Sequence, residues 1–138
     1  MRKALGAALL LLAGLAPAAP GSWTASAPAV RVAGPDRDYL SRPLTPPPLA
    51  AGATPTQVSW RYRLPIGPAP RAWLCQGRHC LALDQPRGRA PVPADWRGDR
   101  PLRFRFRLAE GARQPLRVRD LRLTLAYQAR AGMDRSDK

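Results

Sequence analysis

Leu102-Arg103-Phe104-Arg105-Phe106-Arg107-Leu108 decides the fold. Apolar and basic residues alternate through it without a break. In an extended strand successive side chains point to opposite faces, so Leu102, Phe104, Phe106 and Leu108 share one face and the three arginines the other. A helix turns by about 100° per residue and would scatter the same four apolar residues around its axis. The stretch is a strand with one face made for burial, and such a strand needs a second layer to cover it.

The same period of two recurs on either side. Val58, Trp60, Tyr62 and Leu64 alternate with Ser59, Arg61 and Arg63. Leu121, Leu123, Leu125 and Tyr127 alternate with Arg122, Thr124 and Ala126. Arg71 to Cys75 and Cys80 to Asp84 are shorter candidates, with a tight turn between them. Leu116 and Val118 have the parity opposite to Leu121 and Leu123, so the phase slips near Arg119-Asp120. A bulge or a tight turn must absorb the odd residue there. Gly67, Gly88, Gly98 and Gly111 fall between the candidates and read as turn residues. The pattern is all-β: a small antiparallel β-sandwich of six or seven short strands, with a small barrel left open as the alternative closure.

Composition agrees. The chain has 138 residues, of which 17 are Pro and 11 Gly, which excludes a mainly helical protein. An apolar share of 45% excludes full disorder. One His and a single Glu, Glu110, argue against a multi-ligand zinc site or a glutamate-pair hydrolase.

Met1-Arg2-Lys3 is followed by the apolar run Ala4 to Leu15 and then Ala16-Pro17-Ala18. A basic end, a short apolar stretch and a small-residue cleavage site describe an export signal over 1–18. The apolar run is shorter than the ~20 residues that span a bilayer, so no stable membrane insertion is expected after cleavage. The mature chain then reads as one domain over 19–130 with a frayed polar tail at 131–138. Within that domain 19–56 is Pro-rich, with Trp23 as an anchor and Val30-Arg31-Val32 as one short strand. Thr45-Pro46-Pro47-Pro48-Leu49 favours a polyproline conformation running along the surface.

Cys75 and Cys80 are the only cysteines. In an oxidising compartment a pair this close is most simply a disulfide that staples the hairpin. The spacing also leaves open free thiols, or a metal set with His79, although a fourth ligand is not evident.

Arginine dominates the charge. The chain has 21 Arg against 2 Lys and a formal charge of +14. Arg61, Arg63, Arg103, Arg105, Arg107, Arg117, Arg119 and Arg122 all lie off the apolar faces. If the strands of Arg61, Arg103 and Arg122 are neighbours, one sheet surface becomes a guanidinium field for phosphate, carboxylate or anionic glycan. The competing reading is compositional: abundant Arg, Ala, Pro and Gly are what a G+C-rich genome encodes. Nucleic acid is not expected, because the aromatics needed for base stacking share parity with the core. Trp73 and Trp96 are candidate aromatics for binding an envelope polymer, with loop anchoring as their other role. His79 has no evident acid partner, and the serines lie in no nucleophile-elbow context. No enzyme activity, cofactor or metal is expected.

The order of features resembles the family of periplasmic flagellar proteins FlhE. The likeness is carried by Gly21-Ser22-Trp23 soon after the signal, Val58-Ser59-Trp60-Arg61-Tyr62, and the Leu74-Cys75-Gln76-Gly77-Arg78-His79-Cys80-Leu81-Ala82-Leu83-Asp84 hairpin. Pro101-Leu102-Arg103-Phe104 and a last strand from Leu121 to Tyr127 complete it. The stretch around Pro46 to Pro48, the tail after Arg130 and the heavy arginine load depart from it. The resemblance implies a secreted, non-catalytic β-sandwich in the periplasm. It would limit proton leakage through the flagellar export apparatus, or act as a chaperone or plug during assembly. Its partner would be the export gate or a rod component, met through Arg61, Arg103, Arg105 and Arg107. The rival is a module for an anionic envelope polymer or glycan.

Overall fold

The computed structural model describes residues 20–129. The export signal expected over 1–18 and the tail expected at 131–138 lie outside the described residues. Nine strands run in chain order: β1 (Pro20–Ala27), β2 (Val30–Val32), β3 (Tyr39–Leu40), β4 (Thr54–Arg63), β5 (Arg71–Gln76), β6 (His79–Leu83), β7 (Arg87–Pro91), β8 (Arg103–Arg107) and β9 (Leu116–Gln128). They form two antiparallel sheets, one in the order β1-β9-β4-β7 with β2 paired to the start of β9, the other β3-β8-β5-β6. Two separate sheets make a sandwich, and the barrel alternative falls away.

The alternation read from sequence is the packing rule of the core. Phe104 and Phe106 of β8 and Val58, Trp60 and Tyr62 of β4 are buried, as are Leu121, Leu123 and Leu125 of β9. Tyr62 crosses from one sheet to the other, meeting Phe104 and Phe106 edge-on at 6.0 and 5.3 Å between ring centres. Edge-to-face contact is the preferred aromatic geometry and ties the layers together. Burial holds the Tyr62 phenol up at about 12.

The phase slip is resolved as a bulge. Leu116 to Gln128 is one strand, and Asp120 within it has φ 53°. Opposite it the register of β4 shifts between Arg61 and Arg63. The residue left unpaired turns Val118 and Leu121 both inward, although their parities conflict.

Three strands have no counterpart in the sequence pattern. β1 offers only Trp23, Ala25 and Ala27 to the interior, too little apolar bulk to show a period. β3 is two residues long and continues toward an isolated bridge between Leu44 and Leu102. β7 contains Gly88, which is therefore a strand residue and not a turn residue: it lies opposite Trp60, and a Cβ there would come within 2.5 Å of the indole ring. The Pro-rich segment is pinned where apolar side chains reach inward, at Leu44 and at Ala50 of a 3-10 turn over Pro48–Ala50.

Cys75 and Cys80 face each other in register across β5 and β6 and are joined as a disulfide. Gln76, also buried, accepts from the Arg97 amide and donates to the Arg97 and Arg100 carbonyls. It fastens the loop before β8 to the hairpin.

Candidate anion-binding face

Outward residues of β4 and β9 follow from the inward ones, since the pleat alternates. Arg61 of β4 lies directly opposite Arg122 of β9 on one side and Arg87 of β7 on the other. Three arginines thus stand in one row across three strands about 4.8 Å apart. Beyond the bulge Arg63 pairs with Arg119, and Arg117 with Arg31 of β2. On the other side of the row come hydroxyls: Thr24, Thr124 and Ser59 are in register, and the two threonine Oγ1 atoms are 2.8 Å apart.

The bulge bends the surface into a cleft of about 910 Å³ lined by Arg61, Arg63, Arg87, Arg117, Arg119 and Arg122. A second, shallower groove of about 410 Å³ shares Arg61, Arg87 and Arg122 and runs on over the hydroxyl row. Among the described residues one acid, Asp120, lines the cleft, 3.6 Å from Arg63 and solvent-exposed. Like charges set directly opposite across strands are destabilising, so this row is held together by the core beneath it. An anion bridging two guanidinium groups would relieve that repulsion through charge-assisted hydrogen bonds.

On the opposite sheet Arg71, Arg105 and Arg107 are engaged. Asp38 accepts from Arg107 Nε at 2.7 Å and lies 3.6 Å from Arg105 Nε. The Arg105 guanidinium also covers the Trp73 ring at 4.4 Å, with Arg71 over it at 5.1 Å. Arg103 is exposed, beside the disulfide.

The field anticipated from sequence therefore divides. Arg61 and Arg122 are neighbours, but Arg103, Arg105 and Arg107 belong to the other layer, and the arginines named for one contact surface lie on opposite faces of the sandwich. Period-two patterning says which face a residue takes within its strand, and nothing about which strands share a sheet. Arg87 was missed because β7 has no apolar period.

Trp96 has no ring surface to offer a ligand: it is 4% exposed and its indole N–H donates to the His79 carbonyl at 2.8 Å. Trp23 and Trp60 donate likewise, to the Gly98 and Gln85 carbonyls. Trp73 alone faces outward, beneath its two arginines. His79, left without an acid in the sequence, has Asp95 Oδ2 at 3.2 Å from Nδ1, both side chains exposed. Asp99 accepts from the Gly52 amide, and that bond holds its carboxyl below the usual range. Among the described residues no group of three His, Cys, Asp or Glu side chains is placed to hold a metal, and no helix is long and apolar enough to cross a membrane.

These features define the class: a small disulfide-stapled β-sandwich with a cleft in which six arginines stand against one acid. Residues 29–128 match the family model described as flagellar protein FlhE, and the chain belongs to that family of flagellar accessory proteins. A solved structure titled "Crystal Structure of FLHE" is similar at 30% identity and a TM-score of 0.68, over 81% of this chain and 100% of that one. No curated protein sequence matches the chain.

Proposed function

We propose that the chain is a non-catalytic periplasmic accessory of the flagellum that acts by occupying a surface. Its site of action is the periplasmic side of the export apparatus, at the export gate or a rod component. There it limits proton entry until assembly closes the path, as a plug or as a chaperone of the assembling parts. Membership of the FlhE family over residues 29–128 carries this reading. The arginine row of Arg87, Arg61 and Arg122 supports a docking face on the β4–β9 side, because those charges have no acid beside them in the register. Obstruction needs shape and affinity, and a rigid two-layer domain supplies the first.

The test is a deletion strain carrying the wild-type chain or the Arg61→Glu/Arg122→Glu variant. Cytoplasmic pH is followed after acidification of the medium, and motility is scored alongside. Wild type should restore pH homeostasis and the double variant should not. Unchanged cytoplasmic pH and intact motility in the deletion strain would overturn the proposal.

The same cleft favours a second reading, a module for an anionic envelope polymer. Trp60, 8% exposed, borders the shallower groove and would report on an occupant there without serving as a stacking platform. Quenching of tryptophan fluorescence by soluble peptidoglycan fragments would support that reading, and silence at millimolar ligand would dismiss it.

A further inference from the structure

One more feature adjoins the arginine cleft. β4 ends at Arg63, and the chain continues as Leu64-Pro65-Ile66-Gly67-Pro68-Ala69-Pro70. Ile66 at the tip of this turn is fully exposed, the most exposed large apolar side chain among the described residues. Pro65 and Pro68 fix two backbone angles of the turn around Gly67, and Pro70 beyond it is buried, so the base of the turn is anchored. It faces Ala112, Pro115 and Leu116 across a small groove. Leu116 is followed at once by Arg117 of the cleft. Along both β4 and β9 the cleft arginines thus adjoin in sequence the groove beneath Ile66, whose lining also includes Arg113 and Gln114.

We propose that this end of the sandwich docks on an anionic phospholipid surface, with the cleft arginines on headgroup phosphates and Ile66 entering the acyl boundary. The two features match the two layers such a surface presents. Guanidinium forks pair with phosphate oxygens, and an apolar side chain next to them removes itself from water by entering the interface. A soluble phosphate would use the arginines and leave Ile66 in water. A glycan would call for an exposed aromatic platform, and the tryptophans of this sheet, Trp23 and Trp60, are buried. An exposed isoleucine held out by prolines costs solubility unless something covers it. The inference rests on the periplasmic placement proposed above, which puts the chain between two membranes.

The experiment is flotation of the full-length mature chain with vesicles of phosphatidylcholine alone or mixed with phosphatidylglycerol, at low and high salt. Binding should require the anionic lipid and weaken with salt. Arg117→Glu/Arg119→Glu/Arg122→Glu should lower affinity on the order of a hundredfold, since each basic residue at such a surface is worth about fivefold. Arg42→Glu/Arg78→Glu/Arg103→Glu changes the net charge equally away from the cleft and should bind like wild type. Ile66→Asp, at an exposed turn that the core does not need, should lower vesicle affinity roughly tenfold and leave binding of soluble tripolyphosphate unchanged. Equal losses in both triple variants would mean attraction by net charge alone and overturn the proposal. So would an Ile66→Asp chain that floats like wild type, which would make the cleft a site for soluble phosphate. A chain that ignores vesicles yet restores pH homeostasis sinks the lipid surface and leaves the flagellar reading standing.

Discussion

Gly88 and Trp60 show at residue scale how a strand can be essential and leave no mark in the sequence. The indole of Trp60 lies over the bare backbone of Gly88, its N–H satisfied by the Gln85 carbonyl at 2.9 Å. The glycine gives up side-chain packing of its own, and the ring takes its place. Gly88→Ala brings a methyl group within 2.5 Å of that ring and forces it from its position. The expected loss is about 1–3 kcal/mol, read as a lower urea midpoint with an unchanged slope. The three tryptophans whose indoles donate to distant backbone carbonyls show the complementary point. An aromatic in a sequence can be a ligand platform or an anchor, and only the position of a distant carbonyl separates the two.

Among the elements, β9 carries the most consequence. It pairs with β1 and β4 along its second half and with β2 at its start, and the bulge at Asp120 lets one strand serve both. The irregularity is legible in the order of residues alone, as the slip in apolar parity near Arg119-Asp120. Whether it is a bulge or a turn between two strands is not legible there, since either absorbs one residue. Asp120 has φ 53°, a region that glycine occupies freely and β-branched residues resist. Asp120→Gly should therefore hold or raise the melting temperature despite losing the exposed contact to Arg63, while Asp120→Val should cost about 1–2 kcal/mol. Calorimetry of the two variants tests whether the positive φ is intrinsic to the bulge; equal effects would argue that it is not. At the β5–β6 hairpin the short cysteine spacing favours a disulfide, and the register that sets Cys75 opposite Cys80 decides it against free thiols or a metal set.

For the whole molecule the charge distribution sets the behaviour. The row of Arg87, Arg61 and Arg122 places like charges opposite one another on a sheet whose other face is tightly packed. Arg61→Thr removes the middle charge and keeps a residue suited to strands, so it should stabilise the domain by roughly 0.5 kcal/mol at low ionic strength. At about 1 M salt, where the screening length falls to ~3 Å, the gain should vanish. Urea unfolding at the two salt concentrations checks this, and a gain that persists in salt would mean that the charges are not its source. A repulsive row kept in place by the core is also what makes the face receptive to anions. On the opposite sheet Asp38 and Trp73 already engage Arg71, Arg105 and Arg107, and Arg103 stands exposed.

The sequence by itself determined the all-β class, the two-faced strands β4, β8 and β9, a tight turn between the two cysteines, and that the arginines would point away from the core. Each follows from local geometry: a period of two, a phase slip, a short cysteine spacing. The tertiary structure alone decided which arginines stand together, that Trp96 is interior, that Asp95 meets His79, and that Gly88 belongs to a strand. Those outcomes depend on which strands become neighbours. Pairing is settled by the fit of whole inner faces against each other, and no stretch of chain contains that information.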